Sequence, residues 1–260
     1  FGKAPYRTVS MPAFAVDAKG EKMSKSVGNV VWADEGIDNL GADLIRFYYS
    51  SNSAPYELSK FNINEVKRET YSTINTLWNL HNYLKTEYPV ILNKHVTRPE
   101  DKWILSRLNN LIKNYHHAFE NFEYQRMGRG IHDFIVNDLS RTYIQLVRER
   151  IDNKDSTVGY VMLNSIVNSI KLLAPISPFV SDKIYTNLKN YPAISERSVH
   201  LERLPYANNS RIDNKLEKEF DVLRNVITDV LALRDRMKRN LRWPIKKIAI
   251  VSNQISVLRN

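Results

Sequence analysis

The segment Phe134-Ile135-Val136-Asn137-Asp138-Leu139-Ser140-Arg141-Thr142-Tyr143 lies within a stretch, residues 124–150, that is predicted to form one long helix. At 100° of rotation per residue, its apolar side chains fall on one side: Ile131, Ile135, Leu139, Tyr143 and Leu146. Polar and basic side chains fall in a narrow arc on nearly the opposite side: Arg126, Asn137, Arg141 and Arg148. The segment therefore predicts a bundle helix with a core face and a basic face. Because Asp133 lies at the edge of the basic arc, an ordinary solvated polar face is the alternative interpretation.

Long helices are also predicted around that segment, because apolar residues recur there at helical spacing. The first covers about residues 62–88 and ends at Pro89. The second begins near Pro99, where a proline followed by two acidic residues signals a helix start, and continues toward Phe119. The fourth, residues 157–173, is apolar on several sides and is expected to lie at the centre of the bundle.

Two prolines, Pro175 and Pro178, follow the fourth helix and disfavour helical conformation in the residues before them. A new helix is expected to start at Ser177 or Pro178. The last long helix is predicted at residues 213–239, and a β-like segment follows at residues 248–251.

His81 falls on the apolar side of the first long helix. A buried histidine with one ring nitrogen bonded is favoured over a ligand or a catalyst, because no second His, Asp or Glu lies at helical spacing to complete a metal site. We therefore predict no dedicated metal site in the protein.

A short basic segment precedes the helices, Lys22-Met23-Ser24-Lys25-Ser26. Its two ammonium groups are three positions apart with hydroxyls beside the second, which suits a flexible clamp for a polyphosphate. Upstream, residues 6–9 and 13–17 are predicted to be short strands that lead into a turn at Gly20. Downstream, a polar loop leads to a helix over residues 41–48, whose first turn carries Asp43.

Composition sets the size and the charge of the molecule. With 260 residues, 43% of them apolar, and only 8 glycines, the chain can form one helical domain and a small α/β piece. Its net charge of +10 suits a polyanionic partner, and the surplus is clustered at residues 234–247. Such a cluster should contact phosphates, with an affinity that falls as salt is added. A soluble protein that is merely basic is the alternative interpretation.

Several classes of protein are disfavoured by what the sequence lacks. Cysteine is absent, which excludes disulfides, cysteine-based zinc sites and thiol catalysis. A signal segment and a run of eighteen apolar residues are also absent, so we expect a cytoplasmic protein without a membrane span.

The pentapeptide at residues 22–26 resembles the KMSKS signature of class I aminoacyl-tRNA synthetases. Its setting, a strand, KMSKSxGN, a loop and a GADxxR helix, is similar to the junction between the catalytic domain and the tRNA-binding helices in the isoleucine, valine and leucine branch. Residues 134–143 resemble the FIxxDLSRxY segment of the anticodon-binding domain in the isoleucine enzymes. Residues 172–185, LLAPISPFVSDKIY, and residues 198–201, SVHL, resemble later elements of the same domain. Residues 241–251, LRWPIKKIAIV, resemble the corresponding stretch of the archaeal and eukaryotic type.

The resemblance implies a fold that is mainly α. It would be a helical-bundle anticodon-binding domain preceded by a small α/β remnant of the Rossmann-like catalytic domain. Residues 1–61 would be the end of the catalytic domain, residues 62–208 the anticodon-binding bundle, and residues 209–260 a long basic helix and the start of a C-terminal region.

The implied function is that of an isoleucine-tRNA ligase, which activates isoleucine with ATP and transfers it to tRNA(Ile). Lys25 would be the main catalytic residue and Lys22 would assist, because negative charge grows on the leaving β and γ phosphates. Met23, Ser24 and Ser26 would complete the ATP site, with Met23 packed under the adenine. Mg²⁺ would accompany the ATP. A monomer is expected.

Binding of tRNA would involve exposed basic residues and one aromatic residue: Arg141, Arg148, Lys238, Arg239, Arg242 and Trp243. Trp243 is a candidate for stacking on an unpaired nucleotide. Burial of its ring against the end of the last helix is the favoured alternative.

The other signature of the family, HIGH, does not occur in the sequence, which begins at Phe1. We therefore expect a C-terminal fragment that forms no adenylate alone. The alternatives are a fragment of a valyl or leucyl enzyme, a non-catalytic RNA-binding helical module, or a helical scaffold for protein partners.

Overall fold

A computed structural model describes residues 2–11, 13–90, 96–240, 242–244, 246–247 and 249. Apart from Ala249, the β-like segment predicted at residues 248–251 lies outside these residues, as do Leu241 and Ile245 of the preceding motif.

The N-terminal part holds two short strands and two helices. They are β1 Ala15–Val16, α1 Ala33–Leu40, α2 Ala42–Tyr49 and β2 Ser59–Lys60. The strands pair in parallel, with Ala15 opposite Ser59 and Val16 opposite Lys60. A small apolar cluster formed by Tyr48, Phe61 and Val66 holds this part together.

Two local predictions for the N-terminal part are wrong. Residues 6–9 form no strand, because Tyr6 and Val9 are exposed and no described segment pairs with them. Instead of a polar loop, residues 33–40 form α1, whose first turn carries Asp34 and Glu35. Acidic residues there complement the positive end of the helix dipole.

The bundle is built from longer helices. They are α3 Ile63–Glu87, α4 Pro99–Glu120, α5 Tyr124–His132, a π-helix Asp133–Tyr143, α6 Ile144–Leu146, α7 Arg148–Asp152, α8 Ser156–Leu173, α9 Pro178–Asn187 and α10 Asn214–Arg236. The predicted starts at Pro99 and Pro178 are confirmed, because each proline occupies the first turn of its helix. As predicted, α8 is central, since most of its side chains are buried.

The predicted single helix at residues 124–150 is wrong in its second half. The chain winds as a π-helix from Asp133 and breaks at Val147, which has φ −100°. A π-helix has more residues per turn than an α-helix, so later side chains no longer follow 100° per residue. Leu146 is therefore exposed, and Val147 and Ile151 are buried instead.

His81 is fully buried, as predicted, and its Nε2 lies 3.2 Å from Nδ2 of Asn187. Burial lowers the pKa of the His81 imidazole, because a charged ring would lose its hydration. The histidine is therefore part of the core.

Helix α10 packs on α4 and contacts the π-helix through its first half. The rings of Trp103 and Phe220 stack with centroids 4.9 Å apart, and Arg224 donates to Asp138 at 3.0 Å. Farther along, Leu223 and Ile227 are partly exposed, so the apolar stripe of α10 is only covered near its start. The basic end of α10 is solvent-exposed. Within the described ranges, no helix is both long and apolar enough to cross a membrane.

Candidate functional site

The segment Lys22–Ser26 begins on one arm of a tight hairpin. Val16 forms an antiparallel bridge with Lys22, and the backbone N–H of Asp17 donates to the carbonyl of Glu21 at 2.9 Å. Oδ1 of Asp17 accepts from the backbone N–H groups of Lys19 and Glu21, both at 2.9 Å. Gly20 turns the chain with φ 87°, a conformation that glycine adopts without strain. The hairpin therefore fixes where the first lysine leaves the sheet.

Asn29 ties the first half of this segment to the hairpin. Its Nδ2 donates to Oδ2 of Asp17 at 3.0 Å and to the carbonyl of Lys22 at 3.4 Å, while its Oδ1 accepts from the backbone N–H of Ser24 at 2.9 Å. The hydrogen bond from Asn29 is the main reason why the pKa of Asp17 lies below its usual value; bonds from Glu21 and Lys19 act in the same direction. One amide side chain thus braces this half of the loop.

Both lysines of the segment extend over exposed aromatic rings. Nζ of Lys22 lies 4.4 Å from the ring centroid of Phe14, and Nζ of Lys25 lies 4.8 Å from the ring of Trp32. A ring face attracts an ammonium group, and the attraction at exposed sites is weak, about 0.5–1 kcal/mol. Both lysines are exposed, so an anion can reach them.

The three remaining residues of the segment differ in their surroundings. The hydroxyls of Ser24 and Ser26 lie 2.6 Å apart. Met23 is half-buried and packs against the cluster of Tyr48, Phe61 and Val66. Its side chain is part of the small core here, and contact with an adenine stays a prediction.

On the bundle, Arg141 and Arg148 are exposed. Nη1 of Arg141 donates to Oδ1 of Asn137 at 3.2 Å, and Asn137 lies four residues earlier on the π-helix. Arg141 also lines a groove with Arg68 and Arg129. The structure therefore groups Arg141 with Arg129 of α5 and with Arg68, which lies far away in sequence.

The chain after α10 folds back on the helix end. Lys238 has φ 51°, and the N–H of Arg239 donates to the carbonyl of Arg234 at 2.9 Å. Nη2 of Arg234 donates to the carbonyl of Trp243 at 2.7 Å. The expected burial of Trp243 is wrong: the residue is 57% exposed, and the guanidinium of Arg239 lies 5.7 Å from its ring. Lys238 and Arg242 are exposed too.

Both the N-terminal part and the bundle match models of known protein families. Residues 101–250 match the family model described as the anticodon-binding domain of tRNA ligase. The chain belongs to this family. Residues 1–61 match the model of class I tRNA synthetases for I, L, M and V. The family resemblance drawn from the motifs is therefore confirmed.

The curated relatives that the anticodon-binding chain matches include isoleucine–tRNA ligases. That of Methanocella arvoryzae is 36% identical over 99% of this chain and 25% of the relative. That of Methanosarcina acetivorans is 37% identical over 96% of the chain and 25% of the relative, and that of Pyrococcus furiosus is 35% identical over 99% and 25%. The chain thus spans about a quarter of the length of these relatives.

Solved structures share the fold of this anticodon-binding chain. Mycobacterium tuberculosis methionyl-tRNA synthetase in complex with methionyl-adenylate has a TM-score of 0.60 at 19% identity, over 74% of this chain and 40% of that one. The ternary complex of Agrobacterium radiobacter K84 agnB2 LeuRS, tRNA and LeuAMS has a TM-score of 0.57 at 20% identity, over 78% and 24%. The predicted fold class, a mainly helical bundle after a small α/β part, is confirmed.

Sequence reasoning missed the residues that position the known motifs of the anticodon-binding chain. Phe14 and Trp32 belong to no motif, and only the fold brings their rings next to Lys22 and Lys25. Asn29 was visible in the pattern KMSKSxGN, but its bonds to Asp17 and Ser24 were not. Among the described residues, no group of three or more His, Asp or Glu side chains has the arrangement of a metal site.

Proposed function

We propose that the chain supplies the phosphate clamp and the tRNA-binding bundle of an isoleucine–tRNA ligase. In that enzyme, ATP activates isoleucine, and the aminoacyl group is transferred to tRNA(Ile). The supporting observation is the hairpin that presents Lys22 and Lys25, exposed and braced by Asn29, next to a domain of the tRNA-ligase anticodon-binding family. The names of the relatives favour isoleucine over valine and leucine.

The chemistry of adenylate formation assigns roles to the lysines. The amino-acid carboxylate attacks the α-phosphate, so negative charge grows on the departing pyrophosphate and must be stabilised there more than in the ground state. Lys25 supplies the main positive charge and Lys22 the second. Both ammonium groups give up only weak contacts with Phe14 and Trp32 when they move to the phosphates.

The residues beside the lysines complete the proposed ATP site. Ser24 and Ser26 supply hydroxyl donors on the same loop. Met23 holds the loop on the small core and lies against the nucleotide from there. Mg²⁺ would arrive with ATP, coordinated largely by phosphate oxygens and water as is usual for this ion.

Binding of tRNA is assigned to the exposed basic residues Arg141, Arg148, Lys238, Arg239 and Arg242, with Trp243 as a stacking surface. Its indole is exposed and lies beside the guanidinium of Arg239, which suits an unpaired base. We further propose a division at residues 1–61, 62–208 and 209–260, a monomeric state and a cytoplasmic location.

The clamp is tested in a full-length ligase that contains this chain. Lys25→Ala is expected to slow isoleucine-dependent pyrophosphate exchange by about 10²-fold, the usual cost of removing one donor that acts on transition-state charge. Lys19→Ala, which removes an exposed lysine of the same hairpin, is the matched control. Equal rates in the two variants would reject the clamp. The chain alone is expected to form no adenylate.

The tRNA assignment is tested by titrating the chain with transcripts that carry isoleucine, valine or leucine anticodons, at low and physiological salt. A preference for the isoleucine transcript that persists at physiological salt supports specific recognition. Equal binding that falls steeply with salt would mean that only charge is recognised, as in a general RNA-binding module. Absence of binding at low salt would favour a protein scaffold.

A further inference from the structure

A groove of about 520 Å³ lies where the N-terminal part meets the bundle. Its walls come from α2, the loop after α2, α3, α5 and the π-helix. Three arginines line it, Arg68, Arg129 and Arg141, together with His132. Arg68 and Arg129 belong to no motif, and the three arginines are brought together only by the fold.

The walls of the groove are held in place by specific contacts. Nε of Arg129 donates to the carbonyl of Ser51 at 2.8 Å, and its Nη2 contacts the carbonyl of Asn52. Nδ1 of His132 lies 2.6 Å from Oγ1 of Thr73. A site whose walls are fixed before binding loses little side-chain entropy when a ligand arrives.

The groove is strongly positive. Among the described residues that line it, Asp133 supplies the one carboxylate, and its Oδ1 accepts from Nδ2 of Asn137 at 3.2 Å. Arg68, Arg129 and Arg141 are exposed, so their guanidinium groups are accessible to a solute. A planar guanidinium can donate two parallel hydrogen bonds to a phosphate, and this geometry makes arginine the preferred residue for RNA backbones.

We propose that this junction groove binds the sugar–phosphate backbone of the bound tRNA, at a place separate from the basic end of α10. The inference rests on the proposed function. An extended polyanion suits the site better than one small anion, because the positive charges come from three separate elements: Arg68 on α3, Arg129 on α5 and Arg141 on the π-helix. The tRNA is therefore held at two places, the junction and the end of α10.

The test compares the salt dependence of tRNA binding in the wild-type chain and two double variants. Arg68→Gln with Arg141→Gln removes two charges from the groove and leaves Arg129, which also holds the loop after α2. Arg197→Gln with Arg203→Gln removes two exposed arginines from the segment between α9 and α10. The logarithm of the binding constant falls with the logarithm of the salt concentration, and each lost phosphate contact makes this negative slope shallower by about 0.7–0.9. The slope of the groove variant should therefore be shallower than that of the wild-type chain by roughly 1.5. The slope of the control should be unchanged.

Folding and the identity of the anion are checked in the same series. Circular dichroism and melting curves must coincide for the wild-type chain and both variants, and single Arg68→Gln is used if the double variant unfolds. A slope equal to the control would overturn the groove site and the assignment of Arg141 to tRNA binding, while leaving the phosphate clamp and the tRNA contacts at the end of α10 intact. Lost binding of tripolyphosphate with an unchanged tRNA slope would assign the groove to a free polyphosphate and reject the RNA assignment. A wild-type chain that binds no tRNA would overturn both proposals.

Discussion

The carboxylate of Asp43 on α2 accepts a hydrogen bond from the backbone N–H of Val180 at 2.6 Å, and from that of Phe179 at 3.3 Å. These two N–H groups lie in the first turn of α9, where the helix itself provides no acceptor. Arg46, one turn later on α2, donates to the carbonyl of Ile176 at 2.8 Å. A helix of the N-terminal part therefore caps a helix of the bundle.

Replacing Asp43 with alanine should weaken the attachment of the N-terminal part. The variant leaves the N–H groups of Val180 and Phe179 without their acceptor, and loss of a helix N-cap costs about 0.5–2 kcal/mol. We expect the free energy of unfolding in urea to fall by about 1.5 kcal/mol. Asp38→Ala, an exposed aspartate of α1, is the control. Equal stability of the two variants would mean that the capping bonds contribute nothing.

A second contact at the junction, between α5 and the loop after α2, requires a residue without a side chain at Gly128. A Cβ at Gly128 would lie 2.1 Å from the carbonyl oxygen of Ser50, so α5 and the loop after α2 must separate in Gly128→Ala. Overpacking of this kind typically costs about 1–3 kcal/mol. In the control, Gly130→Ala, the new Cβ meets only Cδ1 of Leu111 at 3.0 Å, and that side chain can rotate away.

Thermal melting separates the two glycine variants. Gly128→Ala should melt several degrees below Gly130→Ala, because about 1 kcal/mol shifts the midpoint by roughly 2–4 °C in a domain of this size. A lower midpoint for Gly130→Ala would show that the approach of α5 to Ser50 does not limit stability.

Whether the sequence predicts a feature of this fold depends on how far apart along the chain the interacting residues lie. The start of α4 is local information, because Pro99 and the acidic residues after it favour a first turn by themselves. The cap of α9 by Asp43 joins residues 137 positions apart, and no periodicity contains it. The π-helix escaped prediction for another reason: a rotation of 100° per residue holds for an α-helix, and Asp133–Tyr143 does not follow it.

The candidate sites also include some residues that the sequence identifies and others that only the fold brings together. The lysines of the KMSKS segment are recognisable in the sequence from the pentapeptide together with the strand, loop and helix patterns around it, and the basic cluster after α10 is recognisable from its composition. Arg68 and Arg129 give no sequence signal, because neither belongs to a motif or to the basic cluster after α10. Only the packing of α3 and α5 against the π-helix places them beside Arg141.

A buried ionic cluster fastens α7 to the start of α4. Nη2 of Arg150 donates to Oδ2 of Asp101 at 2.8 Å, and the same guanidinium contacts Glu100 at 2.6 Å and Asp155 at 2.9 Å. Asp101 is fully buried, and Tyr143 donates to it at 2.7 Å. Burial alone would lower the pKa of Arg150, but its bonds to Asp101 and Asp155 raise it above the usual value. The cluster keeps its charges because each is paired.

Arg150→Met should therefore destabilise the chain strongly, since it leaves the carboxylate of Asp101 buried without its cation. Removal of one partner from a buried pair costs about 3–5 kcal/mol. Arg148→Met, two positions earlier and exposed, is the control and should unfold at nearly the wild-type urea concentration. A loss below about 1 kcal/mol for Arg150→Met, the level of an exposed pair, would contradict this prediction.

The hairpin that carries Lys22 should show a pH dependence set by Asn29. The hydrogen bond from Asn29 lowers the pKa of Asp17, so the folded hairpin favours the carboxylate form. That stabilisation is present above the ordinary aspartate pKa of about 3.9, and it is lost as the pH falls through the lower folded value. Asn29→Ala should raise the pKa of Asp17 back toward the ordinary value, as measured by carbon NMR titration of the side-chain carboxyl. Asn39→Ala, whose amide bonds to the carbonyl of Glu35 on α1, should leave it unchanged. An Asp17 titration that is identical in all three proteins would show that Asn29 does not hold the loop.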